Sequence, residues 1–359
     1  MDNSESGRCR SGSERLESDA CRVLYFHHPA SLQHDPRALS LDHPDSPLRL
    51  QAIENAIAAS ALPPLTRLAA PMASQSEMRL VHSKPHVESI RELCEAEGGH
   101  IDDDTFVGET SYRAALHAAG GACAMVRALL SGSAGAGFCA LRPAGHHADR
   151  ARAMGFCLFN NVAIAAELAI REFGLRKVMI VDWDVHHGNG TAEIFRRRAD
   201  VLFASIHQSG LYPGTGALTD TGSGEGRGYT VNVPVPKGSD EEVWLSVLEH
   251  VIVPIGLEYR PELVLISAGF DAHRDDPLGE CQLESESFDA MARQICDLAA
   301  EAKAPLGAVL EGGYDLGSLG AGVTATIAGL RPGEEANSIA PEQIVTPRAA
   351  SHFGHRWTL

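Results

Sequence analysis

The stretch Lys177–Gly190 reads "KVMIVDWDVHHGNG" and joins an apolar run to a dense group of polar residues. The apolar part is continuous rather than alternating, which is typical of a strand covered on both faces in a parallel sheet. The polar part places two aspartates and two adjacent histidines directly after it. Buried charges are unfavourable unless something pairs with them. The stretch therefore predicts a buried parallel strand that ends in a polar site.

Six further apolar runs have the same character, and they lie at 22–26, 137–141, 201–207, 229–235, 262–269 and 306–313. Helical patterns separate them, one of which starts after Asn160 and stops at Gly174, as capping preferences predict. Alternating strands and helices predict an α/β fold with a mostly parallel central sheet flanked by helices. We expect a single catalytic domain over 22–331, a disordered N-terminal tail over 1–21 and an irregular C-terminal tail over 332–359.

Composition excludes several classes of protein. The 359 residues carry a formal net charge of −17, which argues against nucleic-acid binding because phosphate contacts need a basic surface. No apolar run approaches the roughly 18 residues of a membrane span, and the polar first twenty residues lack the apolar core of a signal peptide. The eight cysteines are scattered without a C-x-x-C pair, which is typical of reduced thiols. We expect a cytoplasmic protein without membrane or nucleic-acid partners.

Four polar clusters follow apolar runs, at 142–149, 182–187, 271–276 and 311–315. The carboxyl ends of parallel strands meet at one edge of the sheet, where α/β proteins bind their ligands. The four clusters therefore predict one shared site at that edge.

Alternation along an extended chain puts Asp182, Asp184 and His186 on one face, where Asp184 and His186 can hold a cation. Catalytic zinc takes three protein ligands and leaves a position for water, and Asp271 is the natural third. Iron and manganese also accept this donor set, so the identity of the metal stays open. The alternative is that Asp184 and His186 only cap the next helix, which the convergence of four clusters disfavours.

A metal hydrolase needs a general base for water and an acid for the leaving group. The adjacent His146 and His147 can fill both roles if their partners differ. A carboxylate such as Asp182 raises a histidine pKa more than an amide such as Asn189 does. Tyr314, beside two glycines, can donate a hydrogen bond to a developing oxyanion.

Six motifs in order resemble those of the zinc-dependent histone deacetylases and their bacterial relatives, which include acetylpolyamine amidohydrolases. They are "RPAGHHAD", "MGFCLFNNVAIAA", "VDWDVHHGNGT", "LYPGTGA", "SAGFDAHRDDPLG" and "LEGGYDL", and "HHGNG" and "AGFDAH" look more like the class II branch. The resemblance implies the arginase/deacetylase fold, with a mostly parallel sheet of about eight strands. It also implies a zinc-dependent amidohydrolase that removes acetyl or short acyl groups from lysine side chains or related amines, by metal-activated water, and releases acetate.

The resemblance also implies roles for particular residues. One zinc ion per chain would be held by Asp184, His186 and Asp271. The catalytic residues would be His146, His147 and Tyr314, with Asp182 supporting His146 and Asn189 supporting His147. The acyl-lysine channel and its rim would include Gly155, Phe156, Tyr212, Leu278 and one acid of 102–104, for which we favour Asp104. A structural potassium ion would lie around Asp182, Asp184, His186, Ser205 and Ile206. His187 would be structural.

Alternatives remain open on the residues alone. Acetylpolyamines or small acylated metabolites fit the same site, although Leu278 offers no charge where polyamine-selective relatives have a glutamate. A binuclear manganese ureohydrolase would need carboxylates at Gly188 and His273, so it is disfavoured. A relative that binds without catalysis is disfavoured because every polar catalytic position is present. Relatives of this kind also form dimers or tetramers, so a homo-oligomer is a further expectation.

Overall fold

The computed structural model of the protein describes residues 22–38, 40–331 and 336–359. The tail predicted over 1–21 lies outside the described residues. The centre is an eight-stranded sheet. Its strands are β1 Val23–His27, β2 Thr66–Ala69, β5 Ala136–Cys139, β6 Val178–Asp182, β7 Val201–Gln208, β8 Thr230–Val235, β9 Leu263–Ala268 and β10 Leu306–Leu310. They lie in the order β2-β1-β5-β10-β9-β6-β7-β8, and every neighbouring pair is parallel. The predicted α/β class with a parallel sheet of about eight strands is confirmed.

Seven of these strands fall on the seven apolar runs of the sequence, and the eighth does not. The β2 strand, Thr66–Ala69, lies at the edge of the sheet, and its four residues alternate between half-buried and exposed. The sequence gives no continuous apolar signal there because only one face of so short an edge strand packs inward. A separate hairpin pairs β3 Gly99–His100 with β4 Phe106–Val107.

Helices cover both faces of the sheet. They are α1 Leu48–Ala59, α2 Gln75–Met78, α3 Lys84–Glu95, α4 Ser111–Leu130, α5 Asn161–Phe173, α6 Asn189–Phe195, α7 Glu241–Val247, α8 Val253–Tyr259, α9 Ser285–Ala302, α10 Leu316–Gly329 and α11 Val345–Phe353. A π-helical turn, Leu248–Ile252, joins α7 to α8. Within the described ranges, no helix is both long enough and apolar enough to cross a membrane.

The ends of α5 follow their predicted capping chemistry. The Asn160 side chain accepts a hydrogen bond from the backbone N–H of Ala163, and Gly174 adopts the left-handed conformation at the other end. Because Asn160 also donates to the Ala148 carbonyl and to Thr191 Oγ1, this cap ties the helix to the loop that carries the adjacent histidines.

The C-terminal segment differs from the irregular tail predicted over 332–359. Val345–Phe353 forms helix α11, and its Val345, Ala349 and Phe353 side chains are buried together with Trp357. A spacing of four residues places these apolar side chains on one helical face. The prediction missed them because no apolar run in this segment is longer than two residues, so the sequence shows no continuous signal.

Candidate active site

Two loops at the carboxyl edge of the sheet bring three acidic or basic side chains together. Asp184 and His186 lie in the loop after β6, and Asp271 lies in the loop after the neighbouring strand β9. Their potential ligand atoms all lie within 4.8 Å of one another, and all three residues are buried. His186 Nδ1 is 3.1 Å from both Asp184 Oδ1 and Asp271 Oδ2. The predicted trio therefore meets in space, although its members come from positions 85 residues apart.

The donor set of this cluster fits a divalent cation. Burial, together with the nearby Asp184 carboxylate, raises the pKa of Asp271 to about 7. Two carboxylates held this close in a dry site are unfavourable without a positive charge between them. Gly312 permits the approach of the chain to this cluster, since a Cβ there would lie 2.0 Å from Asp271 Oδ2. The mixed oxygen and nitrogen set suits zinc, iron or manganese.

A second group of possible ligand atoms, from His146, Cys157 and Glu311, lies close by. Its carboxylate is already engaged, because Glu311 Oε2 accepts hydrogen bonds from the backbone N–H groups of Gly145 (2.7 Å) and His146 (3.1 Å). This group therefore fits a loop anchor better than a metal centre. The sequence placed Glu311 in a polar cluster but gave no sign of its backbone partners.

The loop after β5 turns both adjacent histidines inward. His146 Nδ1 lies 3.0 Å from Asp182 Oδ2, whereas His147 Nδ1 donates to Asn189 Oδ1 at 2.8 Å. Their ring centroids are 4.0 Å apart. The predicted partners, a carboxylate for one ring and an amide for the other, are thus the observed ones.

These partners move the two histidines in opposite directions. Burial alone disfavours the charged form of His146, but the Asp182 and Asp184 carboxylates outweigh it and raise its pKa above the ordinary range. Burial and the neighbouring His146 and His186 hold the pKa of His147 well below the ordinary range. One ring is therefore suited to carry a proton and the other to accept one.

Tyr314 follows β10 after two glycines, and its ring packs against the buried guanidinium of Arg49 and the ring of Phe156. The Arg49 guanidinium carbon is 4.8 Å from its centroid, and the Phe156 centroid is 5.7 Å away at 84°. Burial raises the pKa of Tyr314 well above its ordinary value, so the phenol keeps its proton. The sequence analysis did not assign a role to Arg49, which is fully buried and donates to the carbonyls of Gly313 and Glu311.

Aromatic rings stand beside the histidines and the cluster. The Tyr212 centroid lies 5.2 Å from that of His147 and 6.4 Å from that of His186. Gly155 fits between them, because a Cβ there would lie 2.4 Å from His147 Cδ2 and 2.9 Å from the Tyr212 ring. Gly155 and Tyr212 therefore lie beside His147, and Phe156 lies beside Tyr314.

The predicted rim residues, Asp104 and Leu278, are held by local hydrogen bonds. Asp104 Oδ1 accepts from Thr105 Oγ1 (2.9 Å), which in turn accepts from the backbone N–H of Phe156 (3.2 Å). Burial and the nearby Asp102 carboxylate raise the pKa of Asp104. Leu278 is half-buried, and its N–H donates to Asp276 Oδ1.

Three of the residues expected around a monovalent cation lie on neighbouring strands, and the other two, Asp184 and His186, lie in the loop after β6. Asp182 on β6 pairs in register with Ser205 on β7, and Ile206 follows it, fully buried. The Asp182 Oδ1 atom accepts from the backbone N–H of Asp184.

His187 takes no part in the cluster. Its ring nitrogens lie 2.8 Å from Thr215 Oγ1 and 3.1 Å from Asn232 Oδ1.

Comparisons with known proteins agree on one family. The family model of the histone deacetylase domain matches residues 43–330. Histone deacetylase 15 of Arabidopsis thaliana is 40% identical over 291 residues, covering 79% of this chain and 52% of that protein, so the chain spans about half the length of that relative. A probable deacetylase of Methanothermobacter thermautotrophicus is 43% identical over 297 residues, covering 82% of this chain and 87% of that protein.

A histone deacetylase-like amidohydrolase of Pseudomonas aeruginosa is 38% identical over 275 residues, covering 76% of this chain and 72% of that protein. Among solved structures, the crystal structure of the HDA15 HD domain superposes with a TM-score of 0.87 at 35% identity. That match covers 94% of this chain and 96% of the other chain, so the likeness extends over the sheet, its helices and the strand-end loops.

Proposed function

The chain belongs to the histone deacetylase family, and we propose on that premise that it is a metal-dependent amidohydrolase. It removes acetyl or short acyl groups from lysine side chains or related amines and releases acetate. The observation that carries the proposal is the buried trio of Asp184, His186 and Asp271 beside two histidines with unlike partners. We propose one zinc ion per chain at the trio, and a structural potassium ion near Asp182 and Ser205.

A divalent cation held by the trio would supply Lewis-acid polarisation of the substrate carbonyl and would lower the pKa of water. The residues of the chain supply the proton transfers. His147 donates its Nδ1 proton to Asn189 Oδ1, which leaves the Nε2 lone pair free to accept a proton from water. Its lowered pKa keeps it neutral and ready to act as the base.

His146 is the better proton donor for the leaving amine. Its Nδ1 faces the Asp182 carboxylate, which stabilises the imidazolium and leaves Nε2–H as the transferable proton. Tyr314 donates its phenolic hydrogen bond to the carbonyl oxygen as negative charge develops there. Its raised pKa keeps that hydrogen in place.

The walls of the site favour a slender apolar acyl-amine over a larger substrate. Phe156 and Tyr212 flank the path to the trio, as their contacts with Tyr314 and His147 indicate. We propose that Asp104, which is joined to Phe156 through Thr105 Oγ1, accepts from the backbone N–H groups of a peptide substrate. We favour acyl-lysine in peptides over acetylpolyamines, because Leu278 offers no charge for a distal ammonium.

A binuclear ureohydrolase is disfavoured by the space around Gly188. A Cβ at this position would lie 2.1 Å from Asp182 Oδ2, so the loop has no room for a carboxylate that could hold a second metal ion. We therefore expect one metal ion per active chain.

The test is turnover by the purified protein on a panel of acetyl-lysine peptides, longer acyl-lysine peptides, acetylpolyamines and small N-acetyl compounds. We expect kcat/KM to be highest for an acyl-lysine peptide, to vanish on chelation and to return with about one equivalent of Zn²⁺. A higher kcat/KM for acetylpolyamines would mean that acetylpolyamines, rather than acyl-lysine peptides, are the substrate class. Full activity after complete chelation, or a requirement for two metal ions per chain, would overturn the mechanism.

A further inference from the structure

Asp276 is a buried carboxylate that none of the roles above uses. It lies in the loop after β9, five residues beyond the proposed metal ligand Asp271, and is 5% exposed. Its Oδ2 accepts hydrogen bonds from the backbone N–H groups of Tyr314 (2.6 Å) and Asp315 (3.2 Å). Its Oδ1 accepts from the N–H of Leu278 at 2.9 Å. One carboxylate therefore joins the metal-ligand loop to the backbone of the tyrosine.

The tyrosine segment needs such an external support. Gly312 and Gly313 precede Tyr314; Gly312 has no room for a Cβ beside Asp271, and Gly313 has a φ of +115°. Glycines permit this close and unusual path, but they supply no side chain that could fix it. Gly312 is held by the Asp184 carboxylate and by the backbone N–H of Phe270. Beyond it, Arg49 Nε donates to the Gly313 carbonyl at 2.6 Å, and the backbone N–H of Tyr314 itself donates to Asp276.

We propose that Asp276 is a positioning residue, which sets the Tyr314 hydroxyl at the distance from the trio that the reaction requires. The inference rests on the proposed function, because Asp276 would position the Tyr314 phenol that the proposed reaction uses. The Asp276 carboxylate acts through the backbone and does not contact the substrate. Removing one of its acceptor oxygens therefore lets Tyr314 shift, and a misplacement of about 1 Å can lower a rate by roughly 10²-fold.

The kinetic experiment is a double-mutant cycle of the metal-loaded protein with Asp276→Asn and Tyr314→Phe. The first change keeps the shape of the side chain but places an NH₂ group against backbone donors. We expect Asp276→Asn alone to lower kcat by about 10–100-fold with KM within about twofold. In the Tyr314→Phe background it should lower kcat less than about threefold, because residues that act as a unit are not additive. Equal losses in both backgrounds would overturn the proposal.

Asp275→Asn is the matched control, since Asp275 is the exposed neighbour of the same type. It should leave kcat, KM and the metal content unchanged. The metal content of Asp276→Asn should equal that of the wild type; loss of metal would show that the carboxylate acts through Asp271 instead and would overturn the proposal.

A second readout does not depend on turnover. The chain has six tyrosines, so 3-fluorotyrosine labelling gives a small ¹⁹F NMR spectrum in which Tyr314→Phe identifies the Tyr314 signal. We expect that signal to shift or broaden in Asp276→Asn and to stay unchanged in Asp275→Asn. An unchanged signal would contradict the proposal. If Asp276→Asn does not fold, Asp276→Ser takes its place under the same criteria. Inactivity of the wild type on every acylated amine would refute the proposed function and leave this measurement valid.

Discussion

The adjacent residues His146 and His147 acquire different chemistry from their different hydrogen-bond partners. His146 meets the carboxylate of Asp182 and His147 meets the amide of Asn189. Both rings are buried, so burial alone would lower both pKa values. The difference between an anionic and a neutral partner therefore decides which ring carries the proton.

Tyr314→Phe tests the phenol directly. The substitution removes one hydrogen-bond donor and keeps the ring that contacts Phe156 and Arg49. We expect kcat on the best acyl-lysine substrate to fall by roughly 10²–10³-fold, the scale of a lost oxyanion donor. The melting temperature and the metal content should not change. Tyr112→Phe is the control, because the Tyr112 hydroxyl on helix α4 accepts from Gln75 Nε2 instead. Full activity of Tyr314→Phe would contradict the role.

For individual residues, the sequence predicted a role in the site where side chains share one face of an extended segment or directly follow a strand. Alternation after β6 indicated Asp184 and His186, and the other long apolar run, at 262–269, indicated Asp271. It did not indicate Asp276, Glu311 or Arg49 as supports. Their function depends on backbone N–H and carbonyl groups that are distant in sequence, and no residue pattern records those partners.

Carboxylates also join the loops at the carboxyl edge of the sheet to one another. Each of several acids accepts a hydrogen bond from a backbone N–H of another loop: Asp184 from Gly312, Asp271 from Val185 and Glu311 from Gly145. Charge-assisted bonds of this kind are stronger than neutral ones. The loops after β5, β6, β9 and β10 therefore form one connected unit, so a displaced loop disturbs its neighbours.

Gly312→Ala tests how closely this unit is packed. The new Cβ would lie 2.0 Å from Asp271 Oδ2 and 2.6 Å from Asp184 Oδ2, so the two proposed ligands must separate. We expect zinc content after dialysis to fall well below one equivalent, together with activity. Gly317→Ala is the control, because its Cβ would meet only Asp315 Oδ1 at an ordinary 3.4 Å. Equal metal content in both variants would contradict the prediction.

The end of helix α9 offers a test of backbone strain. Lys303 follows Ala302 with a φ of 58°, in the left-handed region that glycine adopts most readily. Its side chain is exposed, so little packing is lost on truncation. We expect Lys303→Gly to be more stable than Lys303→Ala by about 1 kcal/mol, measured by denaturant unfolding of the metal-free proteins. A more stable alanine variant would contradict this reasoning.

The elements that the sequence predicted well are those buried on both sides. Continuous apolar runs indicated seven of the eight strands, and Asn160 and Gly174 marked the ends of α5. The edge strand Thr66–Ala69 and the helix Val345–Phe353 were missed. Both bury one side of a short segment, and so their signal depends on contacts with the rest of the protein rather than on their own composition.

Across the whole molecule, buried histidines link stability to pH. His82 is an instructive case because it is 1% exposed and is not one of the proposed metal ligands. Its Nε2 accepts from the backbone N–H of Asn160 at 2.9 Å, and the rings of His86 and Phe159 pack against it. Burial, and then repulsion from His86, lower the pKa of His82 to about 3. An unfolded chain restores a value near 6.5.

At His82 the folded state therefore binds fewer protons than the unfolded state between about pH 3 and pH 6.5. The contribution of His82 to stability therefore rises with pH across this window; it is complete above pH 6.5 and is lost as the pH falls. At pH 5 the loss in the free energy of unfolding due to His82 is about 2 kcal/mol, from one and a half pH units at about 1.4 kcal/mol each.

The variant His82→Gln keeps an acceptor for Asn160 but cannot titrate. We expect the free energy of unfolding of the metal-free wild type to fall between pH 7 and pH 5 by about 2 kcal/mol more than that of His82→Gln. His355→Gln, at an exposed position, should follow the wild type. Parallel pH profiles for the wild type and His82→Gln would mean that His82 is protonated in the folded state, which its buried contacts disfavour.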